Sequence, residues 1–151
     1  MIVSDSTTLI ILFNLKRTDL LSNLFDKIYI PKAVYKEISF KEKVVLSDLF
    51  EVVEVKNRKK VDELKFILDD GESEAIALAL EKNLSLIIDE KKGRKIAKNL
   101  GLKIVGFLGI VYLNIKKGFV TKEEAEEFLR AAIKNGFRID ERLIYLILDK
   151  V

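Results

Sequence analysis

The chain has 151 residues, 49% of them apolar, enough to bury one hydrophobic core without help from disulfides or a structural metal. It contains neither cysteine nor histidine, which excludes disulfide frameworks, Cys/His zinc sites and every Ser-His or Cys-His catalytic arrangement. Any acid/base or metal chemistry therefore falls to carboxylates, Lys, Tyr or hydroxyls, and the net charge of +3 says little by itself about partners.

Short apolar runs alternate with longer amphipathic segments, the pattern of βα units feeding a parallel sheet, so the expected class is α/β. Ile2-Val3 reads as a first strand ending at Ser4-Asp5. Ser6 or Thr7 then caps a helix through Leu9, Ile10, Leu12 and Phe13, and Thr18-Asp19 caps a second through Leu20, Leu21, Leu24 and Phe25. Lys27 to Ile30 is a second strand, followed by the only proline, Pro31, whose fixed φ suits the first turn of a helix from Lys32 onward. Glu51 to Val55 alternates like a third strand, Val61 to Leu68 has a helical period, and Asp69-Asp70-Gly71 breaks it.

The segment from Glu72 to Glu81 carries Ala75, Ile76, Ala79 and Leu80, a small apolar face suited to close packing on a sheet. Leu84 to Ile88 is a fourth strand stopping at Asp89-Glu90. Lys92 to Leu100 is a basic helix closed by Gly101, and Lys103 to Val105 is a short fifth strand. From Phe107 on, three helices are expected, with breaks at Gly118 and Asn135-Gly136 and a cap at Asp140. The whole of 1–151 reads as one domain, with roughly 119–151 as its C-terminal helical extension. The opening Met1-Ile2-Val3 lacks the features of a signal peptide, and the longest apolar stretch, Ile104 to Leu113, falls short of the roughly 20 residues that span a bilayer. A cytoplasmic protein without a membrane segment is expected. The 34% charged content, rich in Lys, Glu and Ile, suggests a heat-adapted source.

In open parallel α/β sheets ligands bind beyond the carboxyl ends of the strands. Asp5 ends the first strand, Glu37 lies on the helix after the second, Glu72 opens the helix before the fourth, and Asp89 ends the fourth. Each acid has an ordinary explanation near a helix start. Together in one cleft they repel unless cations neutralise them, and hard divalent ions with oxygen ligands do so. Mg²⁺ or Mn²⁺ held in this way orients and activates water and stabilises the charge developing on a phosphodiester.

These acidic stretches also carry a resemblance. Val3-Ser4-Asp5-Ser6-Thr7-Thr8-Leu9-Ile10, Ile30-Pro31-Lys32-Ala33-Val34-Tyr35-Lys36-Glu37, Gly71-Glu72-Ser73-Glu74-Ala75-Ile76-Ala77-Leu78-Ala79 and Leu86-Ile87-Ile88-Asp89-Glu90 resemble, in order and spacing, the successive acidic motifs of PIN domains. Lys92-Gly93-Arg94-Lys95-Ile96-Ala97 and Gly106-Phe107-Leu108-Gly109-Ile110 are similar to a prokaryotic branch that includes the toxin ribonucleases of toxin–antitoxin pairs. Two departures are Glu72 where many members have Asp, and Ile88 in place of a hydroxyl or Asn before the fourth acid. The resemblance implies a three-layer α/β/α sandwich around a mostly parallel sheet of about five strands, a Mg²⁺ or Mn²⁺ cofactor, endonucleolytic cleavage of RNA, an antitoxin partner and a homodimer.

The site expected on this basis is Asp5, Glu37, Glu72 and Asp89, with Glu90 in reserve for Asp89 as a metal ligand and Ser6 assisting by hydrogen bonding. Glu72 and Glu74 stand about 200° apart on a helix, so only one faces the cleft, and the register favours Glu72. Lys91, Lys92, Arg94 and Lys95, directly after Asp89, form a candidate rim for RNA, although a basic run by itself first reads as a solvated helix face. A phosphatase of the haloacid dehalogenase type would need a second Asp where Thr7 stands, and a dinucleotide-binding domain would need glycines that Ser4 to Leu9 lacks. A PIN-like module that binds RNA or protein without cutting is the alternative of a different class.

Overall fold

A computed structural model describes residues 1–150, so Val151, the last residue of the expected domain, lies outside the described residues. Five parallel strands are ordered β3-β2-β1-β4-β5: β1 (Ile2–Ser4), β2 (Ile28–Pro31), β3 (Phe50–Val53), β4 (Leu86–Ile87) and β5 (Ile104–Val105). The helices are α1 (Ser6–Leu15), α2 (Asp19–Ser22), α3 (Lys32–Lys41), α4 (Arg58–Leu64), α5 (Asp70–Lys82), α6 (Lys91–Asn99), α7 (Phe107–Lys116), α8 (Lys122–Lys134) and α9 (Glu141–Lys150). They flank the sheet in a three-layer α/β/α sandwich, as expected, with the sheet wholly parallel rather than mostly so. Because β2 and β3 lie on one side of β1 and β4 and β5 on the other, the strand order reverses between β1 and β4, and a crevice opens there at the carboxyl ends.

Several boundaries differ from the sequence reading for identifiable reasons. Asp5 itself, not Ser6 or Thr7, is the N-cap of α1. Pro31 still belongs to β2 and sits in extended backbone (φ −73°, ψ 162°) as the N-cap of α3, one position before the first turn. The second helix of the early region is a single turn, and the fourth helix covers Arg58–Leu64 rather than 61–68, because Asn57 accepts a hydrogen bond from Lys60 N and starts it early. Asp69-Asp70-Gly71 does not break a helix but begins one: Asp69 accepts from Glu72 N at 2.8 Å and caps α5.

Helix α5 is the packing centre, with Ala75, Ile76, Ala77, Leu78 and Ala79 all buried against the sheet and the neighbouring α3 and α4. Small side chains permit that close approach. Two of its other acids are used as pins, since Glu74 accepts from Ala33 N at 3.1 Å and Glu81 accepts from Lys56 N and Asn57 N at 3.1 Å. Helix α7 is tied to the α2 region through amides: Asn114 Nδ2 donates to Leu20 O and to Ile110 O in its own helix, and Asn23 donates to Asn114 Oδ1, each at 2.9 Å. No helix among the described residues is long and apolar enough to cross a membrane.

Candidate active site at the carboxyl ends of β1 and β4

Asp5 N donates to Ile87 O at 2.9 Å, so strand pairing continues one residue past β1 and sets the Asp5 side chain at the reversal point between β1 and β4. The residue is only 4% exposed. A Cβ built on Gly71 would lie 3.0 Å from Glu37 Oε2, 3.6 Å from Asp5 Oδ1 and 3.7 Å from Asp69 Oδ1. Carboxylate oxygens from α3, the end of β1 and the N-cap of α5 thus each border the space that Gly71, lacking a side chain, leaves open.

Glu72 follows on the same helix and turns towards α6. Its Oε2 would lie 2.7 Å from a Cβ on Gly93, and Glu90, the N-cap of α6, accepts from Gly93 N at 3.0 Å. Asp89 stands on the other side of α6, where its carboxylate accepts from Thr8 Oγ1 and from Phe107 N, the latter at 2.8 Å. Arg94 Nη1 donates to Ile88 O at 2.8 Å, and the missing side chain of Gly106 leaves room for both the guanidinium and the Asp89 carboxylate.

Burial, with Asp69, Glu37 and Asp89 nearby, pushes the Asp5 carboxyl up to about 7, although the Ser6 backbone N–H partly opposes this. Glu72 is also raised, first by burial, then by a hydrogen bond to Glu90 that favours its protonated form and by the charges of Asp69 and Asp5. Glu90 moves the other way, because Gly93 N–H stabilises its charge. Asp5 Oδ1 and Glu72 Oε2 are buried with no hydrogen-bond partner, as is the hydroxyl of Ser73. An orphaned buried polar atom costs about 1–3 kcal/mol, and more when charged, so these two oxygens are poised for a cation.

A family model described as a PIN domain matches the chain over residues 1–151. The chain belongs to the PIN-domain family. No curated protein and no solved structure matches it. The PIN domain is a nuclease-type fold, and here the reversal point of its sheet is lined by acids from four parts of the chain.

Of the expected residues, this PIN domain brings Asp5, Glu37 and Glu72 to one crevice, with Ser6 buried beside Asp5. Asp89 and Glu90 border it, but each is already engaged, the first in tying α1 to α7 and the second in capping α6. Glu74 points away from the crevice, towards Ala33 and Arg58. On α6, Lys91, Arg94 and Lys95 line an open depression of about 420 Å³ together with Asp89 and Lys98, whereas Lys92 lies outside it. Lys91, Arg94, Lys95 and Lys98 are spaced i, i+3, i+4 and i+7, so one helix face holds them and Lys92 falls off it. Asp69, Thr8 and Lys98 were absent from the expected site. Asp69 had a readable signal: Asp69-x-x-Glu72 has the spacing of a helix-capping pair.

Proposed function

We propose that this PIN domain, folded as a single domain, is a Mg²⁺- or Mn²⁺-dependent endoribonuclease. The observation that carries the reading is the pair of buried, partnerless carboxylate oxygens, Asp5 Oδ1 and Glu72 Oε2, inside a crevice of like charge. Among the described residues no group of three or more acids is arranged to hold a metal ion, so the donor set of this reading is the pair Asp5 and Glu72. An open arrangement suits Mg²⁺, which keeps several waters and takes one or two carboxylates. A bound ion would supply charge neutralisation, orientation of water and stabilisation of charge on the phosphodiester. Asp5 and Glu72 are the residues to hold it, with Glu37 and Asp69 facing it from the Gly71 side. Asp89, fixed by Thr8 and Phe107 N, retains a second lone pair on each oxygen, and Glu90, kept charged by Gly93 N–H, favours the protonated form of Glu72. Ser6 contributes the N–H that favours the charged form of Asp5.

The test is titration of Mg²⁺ and Mn²⁺ against cleavage of single-stranded RNA, read beside metal binding by calorimetry. Metal binding without cleavage would establish a binding module in place of a nuclease. RNA is expected to lie across Lys91, Arg94, Lys95 and Lys98, with Lys92 further from it. Replacing Arg94 and Lys95 together by Ala is expected to weaken RNA binding in EDTA and to flatten the dependence of log K on log salt by roughly 1 to 2. An unchanged slope in fluorescence anisotropy would remove this rim from the interface.

A toxin role, restrained by a small antitoxin protein, belongs to the same proposal, as do a homodimer, cytoplasmic placement and a heat-adapted source. Its support is the resemblance and the exposed Leu143, Tyr145 and Leu146 on α9. Light scattering that returns a monomer would set the homodimer aside.

A further inference from the structure

Helix α3 serves the crevice with one flank and leaves another side uncovered. Val34 and Ile38 are buried, and Glu37 reaches towards Gly71. Along the solvent side, Lys32, Tyr35, Lys36, Ser39 and Phe40 follow at intervals of three, one, three and one residues, a continuous helical stripe. Phe40 is 88% exposed although nothing about a helix end requires an aromatic ring in water. Tyr35, one turn earlier, is also exposed. The stripe carries no carboxylate; Lys32 at its start is paired with Glu54, whereas Lys36, between the two rings, makes no ion pair among the described residues.

Two exposed rings flanking the unpaired ammonium of Lys36 match a ligand that alternates planar bases with phosphates. A protein partner is the poorer match, because the centres of protein interfaces are depleted in Lys, and these lysines interrupt the apolar residues. A duplex is a poor match too, since its bases are already stacked and paired, whereas an unpaired base is free to lie on an aromatic ring. Phe40 is three residues from Glu37, hence about 5–6 Å away along the helix surface, so a base on this ring adjoins the acidic crevice. We propose that the solvent side of α3 is a track for the single-stranded flank of an RNA substrate, with Phe40 stacking on one base and Lys36 contacting phosphate. The inference rests on the nuclease reading for the identity of the ligand.

The experiment measures binding of the full chain, in EDTA, to a short single-stranded oligoribonucleotide and to an abasic strand of equal length. Phe40→Ala is expected to weaken binding of the first by about 5- to 100-fold and to leave the second unchanged. Lys36→Ala is expected to weaken both. Phe40→Trp supplies a direct probe, because the chain has no other Trp and stacking quenches its emission. Equal affinities for wild type and Phe40→Ala, an unquenched Trp, or a dimer in light scattering that Phe40→Ala dissociates would each overturn the proposal. Cleavage is assayed separately with Mg²⁺. Absent cleavage with Phe40-dependent binding retires the nuclease reading alone, and cleavage with Phe40-independent binding retires this inference alone.

Discussion

Asp5→Asn is expected to lower metal-dependent RNA cleavage by about 100-fold or more, while raising the melting temperature of the metal-free protein at pH 8. The two effects share one cause. A carboxyl raised from 3.8 to about 7 binds protons more tightly in the folded chain than in the unfolded one, so its contribution to stability is greatest below pH 4 and is lost as pH rises towards 7. The corresponding penalty at pH 8 is at most about 4 kcal/mol, and removing part of it shifts the melting temperature by roughly 5–10 °C for a chain of this length. At pH 4, where Asp5 is protonated in the folded state, the gain should vanish. Added Mg²⁺ should stabilise the wild type at pH 8 and do much less for the variant. Thermal melts at the two pH values decide it: an equal gain at both, or none at either, separates Asp5 from the charge conflict assigned to it.

The second large effect is a contrast between neighbours. Glu72→Gln should suppress cleavage, because its buried oxygen faces the crevice, and should stabilise the metal-free fold at pH above about 8, where Glu72 gives up the proton that burial, Glu90 and Asp69 hold on it. Glu74→Gln should leave cleavage nearly intact and cost about 1–2 kcal/mol of stability, since its charged hydrogen bonds to Ala33 N and Arg58 Nη1 become weaker. Denaturant melts and cleavage rates on both variants provide the check. If Glu74→Gln proves the inactive one, α5 presents the wrong face to substrate in this account.

Much of this arrangement was legible in the sequence. Asp5 could be placed because an apolar strand ends at it, and Glu72 because a half-turn of helix separates it from Glu74, with Ala75, Ile76 and Ala79 marking the packed side. The start of α5 was harder to read, since Asp-Asp-Gly is a turn signature locally and becomes a cap only when the Asp69 side chain finds Glu72 N. Asp69 was lost from the expected site for that reason. The second missing element was tertiary. Nothing local shows that Asp89 will spend its oxygens on Thr8 and Phe107 N, which lie far away in sequence. Lys92, by contrast, could have been set apart from Lys91, Arg94 and Lys95 by counting helical turns alone.

The sheet has two open borders, β3 and β5, and they differ in how they discourage another chain from adding a strand. β5 is only two residues long, too short a template for stable pairing. β3 is longer, but it carries the exposed Glu51 and is followed by Glu54 and, after the buried Val55, by Lys56, so a chain approaching in register would meet charge. Parallel sheets assemble slowly because their pairings span long loops, and unprotected borders would stay available to other chains meanwhile. Growth into a continuous intermolecular sheet is therefore disfavoured during folding as well as afterwards, and any association between copies is directed to helical surfaces.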